Sequence, residues 1–225
     1  MDFRYNKTGR KGSDSMDTID ISMVISDEMP TYKGIPERRP DIHVVRTIDQ
    51  GSNESRISFY SHTGTHVDAP FHMIPEGKTI DLFPLHRFEG KALVIELFDC
   101  ERIDVLHLLP YETIINQIDF LLLKTDNSVR TLPPEKFVYL GESGASFLSG
   151  KPLKGVGIDA LGIEREQPQH PTHRLLLEKD ILIFEGLVLN QVSPGRYRFS
   201  GYPLKIKAAD GSPVRALLRE LSNEC

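Results

Sequence analysis

His62-Thr63-Gly64-Thr65-His66-Val67-Asp68-Ala69-Pro70-Phe71-His72 is the stretch on which the reading of this chain turns. Three histidines and an aspartate fall at offsets 0, 4, 6 and 10. Imidazole and carboxylate are common nitrogen and oxygen donors for catalytic Zn²⁺ or Mn²⁺. On a helix, His62 and His66 would share a face while Asp68 and His72 would lie round the cylinder. On a strand all four side chains would point one way, but at ~3.3 Å per residue His62 and Asp68 would stand about 20 Å apart. Donors to one ion must lie within a few ångströms of each other, so the chain has to curl. Gly64 supplies the free φ for that, and Pro70 ends any strand ladder. The stretch reads as a strand running into a tight ligand-bearing loop.

Outward from the motif, apolar and polar residues alternate over 17–25, with Ile19, Ile21, Met23 and Ile25 in phase. That is a strand pattern. Residues 27–41 carry Pro30, Gly34, Pro36 and Pro40 and read as a loop. Ile42–Ile48 and Ser55–Ser61 read as strands, the second leading directly into His62. Lys91–Phe98 and Asp119–Thr125 are apolar enough to be buried strands. Between them, residues 103–117 have helical spacing broken by Pro110. A helix or two falls within 133–149, and a glycine-rich strand over Lys154–Asp159. Residues 162–174 look loop-like, and Ile181–Phe184 is a strand ending at Glu185. The segments Tyr197–Lys207 and Pro213–Leu221 close the chain. Interspersed strands and helices without a long linker give an α/β chain with one domain over 17–225. Residues 1–16 read as a disordered extension, because no apolar core follows their basic residues as a signal peptide would require.

The chain has 225 residues, 39% hydrophobic and 26% charged, with a net charge of −5. That composition is ordinary for a globular protein, and the acidic balance argues against a nucleic-acid partner. No apolar run approaches the ~20 residues of a membrane span. Cys100 and Cys225 cannot form a disulfide framework, which points to the cytoplasm.

The pattern His62-x-Gly64-Thr65-His66-x-Asp68-x-Pro70-x-His72 resembles the signature of the cyclase-like metal-dependent hydrolases, a family that includes bacterial kynurenine formamidase and isatin hydrolase. The resemblance extends to Asp17–Ser22, to His173-Arg174-Leu175-Leu176 with Asp180-Ile181 and Glu185-Gly186-Leu187, to Pro203–Ile206 and to Gly211–Ala216. It implies a swivelling β/β/α fold with a mixed central sheet, assembled as a homodimer or tetramer. It also implies His62, His66 and Asp68 as first-metal ligands, His173 and Glu185 as second-metal ligands with Asp68 bridging, and two Zn²⁺ or Mn²⁺ ions per subunit. His72 would be the acid or base that moves protons. The alternative for His72 is a fourth metal ligand or a hydrogen-bond donor to one. His170 is the neighbour most easily mistaken for His173, while His43, His86 and His107 read as structural. Two histidines and a carboxylate leave a coordination position open for water, which is a catalytic layout.

The activity implied is cleavage of a small amide C–N bond, an N-formyl aryl amide such as N-formylkynurenine. The alternatives are a cyclic amide of the isatin type, or a silent metal-binding scaffold. Kynurenine formamidases of this family usually carry Trp-Pro-Gly-Asp in an early loop. Here the region reads Met29-Pro30-Thr31-Tyr32-Lys33-Gly34-Ile35-Pro36, and the chain has no tryptophan.

Overall fold

The computed structural model describes residues 18–130, 132–133 and 135–221; the expectation for residues 1–16 lies outside them. Twelve strands follow in chain order: β1 Thr18–Asp20, β2 Asp41–Arg46, β3 Glu54–Ser58, β4 His66–Asp68, β5 Glu89–Leu97 and β6 Arg102–Ile103, then β7 Phe120–Thr125, β8 Tyr139–Leu140, β9 Gly155–Ile158, β10 Leu182–Glu185, β11 Gly195–Pro203 and β12 Gly211–Glu220. The α-helices are short: α1 Val105–Leu108, α2 Glu112–Ile115, α3 Glu142–Ser149 and α4 Pro171–Leu177.

Eight strands form one mixed sheet in the order β1-β12-β11-β5-β7-β9-β10-β4, and a further β12–β4 pairing closes it on itself. β5, β7, β9 and β10 run parallel; the other pairings are antiparallel. The continuous apolar run in β7 is explained by burial on both faces. Phe120 and Leu122 join a cluster with Val67, Phe184 and Phe199, while Leu121 and Leu123 join a second with Leu148 of α3 and Leu176 of α4. One face of the sheet therefore packs on its own interior and the other beneath helices. This is the mixed α/β architecture the resemblance implied.

The buried strands and the broken helix over 103–117 lie where the sequence puts them. Three elements differ. Beyond Asp20 the chain leaves the ladder, because Met23 N–H donates to the Thr65 hydroxyl and the Ile21 carbonyl accepts from Val188. β2 and β3 form a separate hairpin with no buried residue, so the alternation around Ile57 does not mark a core face. The Pro168–Pro171 region ends in a helix, not a loop: Pro171 occupies its first turn, where its fixed φ suits the helix, and Thr172, His173, Leu176 and Leu177 are buried.

Candidate metal centre

Strand β4 sets the site. His66 and Asp68 are two residues apart and so share one face, while Val67 points the other way into the aromatic cluster. In the antiparallel ladder His66 lies opposite Glu185 of β10. Directly opposed side chains point the same way at close range, and His66 Nε2 is 3.2 Å from Glu185 Oε2 and 3.4 Å from Asp68 Oδ1. The curl precedes the strand: Gly64 adopts φ +62°, and the turn before it swings His62 back over Asp68, reversing the order read from the sequence. The short 3₁₀ turn Pro70–His72 then returns His72 to within 4.0 Å of the His62 ring, centroid to centroid. His173 arrives from α4, with Nε2 3.4 Å from Glu185 Oε1 and 3.8 Å from Asp68 Oδ2. The six residues singled out from the sequence thus gather around Asp68, but the sets tight enough for one ion are His66–Asp68–Glu185 and His62–Asp68–His72, not the His62–His66–Asp68 and Asp68–His173–Glu185 trios that the resemblance implied.

Each of three histidines is tied at one ring nitrogen and faces the shared acids with the other. His62 Nε2 contacts Asp210 Oδ2 at 2.7 Å, leaving Nδ1 2.7 Å from Asp68 Oδ1. His66 Nδ1 donates to the Gly64 carbonyl at 2.8 Å. His173 Nδ1 contacts Glu164 Oε2 at 2.6 Å. Outer partners of this kind fix the tautomer and ring orientation of metal-binding histidines. Glu185 is steadied by the Ile163 N–H, which donates to Oε1 at 2.6 Å.

The polar bookkeeping fits an ion. His66 Nε2 and Asp68 Oδ2 are buried without a hydrogen-bond partner, a costly arrangement that coordination relieves. His66, Asp68 and Glu185 offer donor atoms within 4.8 Å of one another, as do His62, Asp68 and His72. Among the described residues Glu164, His170 and His173 form a third such group, but His170 is exposed and its Nδ1 lies 4.0 Å from Glu164 Oε1.

The charges are set by these contacts. Burial opposes charge on His62, but Asp68 and Asp210 outweigh it and raise the imidazole to about 9. Burial likewise opposes charge on His173, and Glu164, Glu185 and Asp68 raise it to about 10. His66 is raised by Glu185 and Asp68 against its own burial. Burial holds His72 below its ordinary value despite the nearby acids. Glu185, though buried, is held well below the usual carboxylate range by His173 and His66.

Glu164 and Asp210 were missed from the sequence. Glu164 lies in a connection with no periodicity; Asp210 directly precedes Gly211 in a segment noted only for its resemblance. His43 pairs with Asp41 on the exposed hairpin, and His107 accepts from the Asp104 N–H at the start of α1. A cavity of about 410 Å³ opens on the cluster, lined by Met29, Tyr32, Arg38, Tyr60, Met73 and Leu161 beside the histidines.

A closed mixed sheet that gathers histidines and carboxylates beneath a cavity suits a metal-binding enzyme site, and the relatives that share it place the chain among the metal-dependent hydrolases. The Cyclase family model matches residues 19–165. The chain is 36% identical to the kynurenine formamidase of Geobacillus thermodenitrificans, over 90% of this chain and 97% of that protein. It is 38% identical to the solved structure of a predicted metal-dependent hydrolase from Bacillus stearothermophilus, with a TM-score of 0.82 over 91% of this chain and 98% of that one. Isatin hydrolase A from Labrenzia aggregata, 24% identical over 92% and 94%, shares the fold at a TM-score of 0.80. The chain belongs to the cyclase family. No helix among the described residues is long and apolar enough to cross a membrane.

Proposed function

We propose that this enzyme hydrolyses an N-formyl aryl amide of the N-formylkynurenine type, with His62, His66 and Asp68 holding one Zn²⁺ or Mn²⁺ ion and Asp68, His173 and Glu185 a second. The observation that carries this reading is a cavity with the histidine–carboxylate cluster and His72 at one side and Tyr32 and Tyr60 in its walls. Tyr32, absent from the usual early-loop pattern, fills the place of an aromatic wall: it packs edge-on to Phe137 with centroids 6.0 Å apart, and a Cβ on Gly162 would come within 2.7 Å of its ring. Arg38 offers a guanidinium to a carboxylate on the substrate's tail. Similarity to a kynurenine formamidase supports the same substrate class.

A bound divalent ion supplies Lewis acidity, acidifying water and polarising a carbonyl oxygen. The protein supplies the proton path. His72, held below its ordinary value by burial, is neutral near pH 7 and accepts a proton from the water that adds to the formyl carbon. It returns that proton to the nitrogen as the C–N bond breaks, giving an aryl amine and formic acid, which releases its proton to solvent as formate. The flat ring lies against the tyrosines, and the formyl carbon needs no acyl pocket.

The protein acts in the cytoplasm as a homo-oligomer. Ile42, Val44, Val45 and Ile57 are exposed on the β2–β3 hairpin, and a lone two-stranded hairpin is marginal in water unless something covers it; a second copy does so in this reading, and sedimentation of Ile57→Asp tests it. The functional test is a panel of formyl, acetyl and cyclic amides on protein reconstituted with metal. Deformylation much faster than deacetylation is expected. Ring-opening of a cyclic amide without deformylation would replace this reading with an isatin-type hydrolase, and inactivity on every amide despite bound metal would leave a scaffold.

A further inference from the structure

The three histidines that face the acidic cluster do not offer it the same atom. His66 and His173 present Nε2, because their Nδ1 atoms are tied to the Gly64 carbonyl and to Glu164. His62 presents Nδ1, 2.7 Å from Asp68 Oδ1, and turns Nε2 to Asp210 Oδ2, also at 2.7 Å. Donors to one ion lie close together, so the His62 nitrogen that can join Asp68 at an ion is Nδ1. We propose that Asp210 is a positioning residue of the metal centre: it accepts the His62 Nε2–H, so holding the tautomer that leaves the Nδ1 lone pair for the ion, and it steadies His72 from the same oxygen. The inference rests on the metal-site reading above.

The backbone places Asp210 for this work. Its carbonyl accepts the Ala69 N–H at 2.9 Å, which locks it to the end of β4. Gly211 follows and lies opposite Asp68 in the β12–β4 ladder. A Cβ on Gly211 would stand 3.0 Å from His62 Cε1 and 2.7 Å from the Val67 carbonyl. The Asp-Gly pair thus supplies both the carboxylate and the space in which the His62 ring lies. Asp210 Oδ2 is also 3.4 Å from His72 Nδ1, so one carboxylate oxygen spans a ligand and the proton carrier. A carboxylate behind a ligating histidine is worth roughly 10–100-fold in metal affinity.

The test uses the full chain labelled with ¹⁵N-histidine and loaded with ¹¹³Cd²⁺. Long-range ¹H–¹⁵N spectra report which ring nitrogen of each histidine couples to cadmium, with His62 assigned from the signal lost in His62→Asn. Coupling at Nδ1 of His62 and at Nε2 of His66 and His173 is expected; coupling at Nε2 of His62 would overturn the proposal. Asp210→Ala should lose roughly 10–100-fold in cadmium affinity, with Asp210→Asn, which keeps an acceptor oxygen, recovering most of it. Parent-like affinity in Asp210→Ala with a raised KM would make Asp210 a substrate contact and refute the positioning role. A parent protein that binds no cadmium at all would strike the underlying metal reading instead.

Discussion

Loading the metal-free protein should release at least two protons per chain near neutral pH. His62 and His173 are held at about 9 and about 10 by the carboxylates around them, so at pH 7 each is more than ~99% protonated. A metal ligand must be the neutral imidazole, and both protons have to leave. His66 is displaced upward as well, so two is a lower bound. The same displacement makes affinity depend on pH: with at least two protons lost, overall affinity should rise at least about 100-fold per pH unit from pH 7 towards 9. The slope should fall as pH passes the His62 and His173 values of about 9 and about 10. Stability of the metal-free protein should move the opposite way. A raised histidine stabilises the fold fully below its unfolded value near 6.5, and that contribution is lost as pH climbs through the folded values of about 9 and 10. Calorimetric titration with Zn²⁺ in buffers of different ionisation enthalpy gives the proton count directly. Release of less than one proton at pH 7 would show that the cluster does not hold its imidazoles charged, and the account of the metal-free site would fall.

Three further outcomes follow from the geometry. His72→Ala should keep its metal and fold while losing roughly 10²–10⁴ in rate; loss of metal with rate, read by elemental analysis, would make His72 a ligand. Glu185→Gln should show one tight ion in metal titration where the parent shows two, and one ion of equal affinity in both proteins would mean a mononuclear centre. Phe184, buried opposite Val67 in the ladder and 4.9 Å from Phe199 by ring centroids, should cost about 3–5 kcal/mol on truncation to alanine, read as a shift in the urea midpoint of the metal-free protein.

How much of this was legible follows from where each constraint is stored. β7 announces itself because four consecutive apolar residues have only one use in a mixed sheet, burial on both faces. The spacing of His66 and Asp68 is local too, since any strand puts them on one face. The hairpin misled for the converse reason: alternation around Ile57 is the pattern of a half-buried strand, yet nothing in one chain's described residues covers it, so the pattern reported no core. The helix carrying His173 was hidden by Pro168 and Pro171, which read as breakers although Pro171 starts the helix. Glu164 and Asp210 escaped for a deeper reason. A ligand must be of a recognisable type, but the group behind a ligand needs only to be an acceptor at the right distance, and that distance is fixed by pairings such as Gly211 opposite Asp68, 143 residues apart in sequence. Resemblance transfers the residues a motif names; the carboxylates that hold one ring nitrogen of His62 and of His173 emerge only when the sheet closes and brings β12 and α4 to β4.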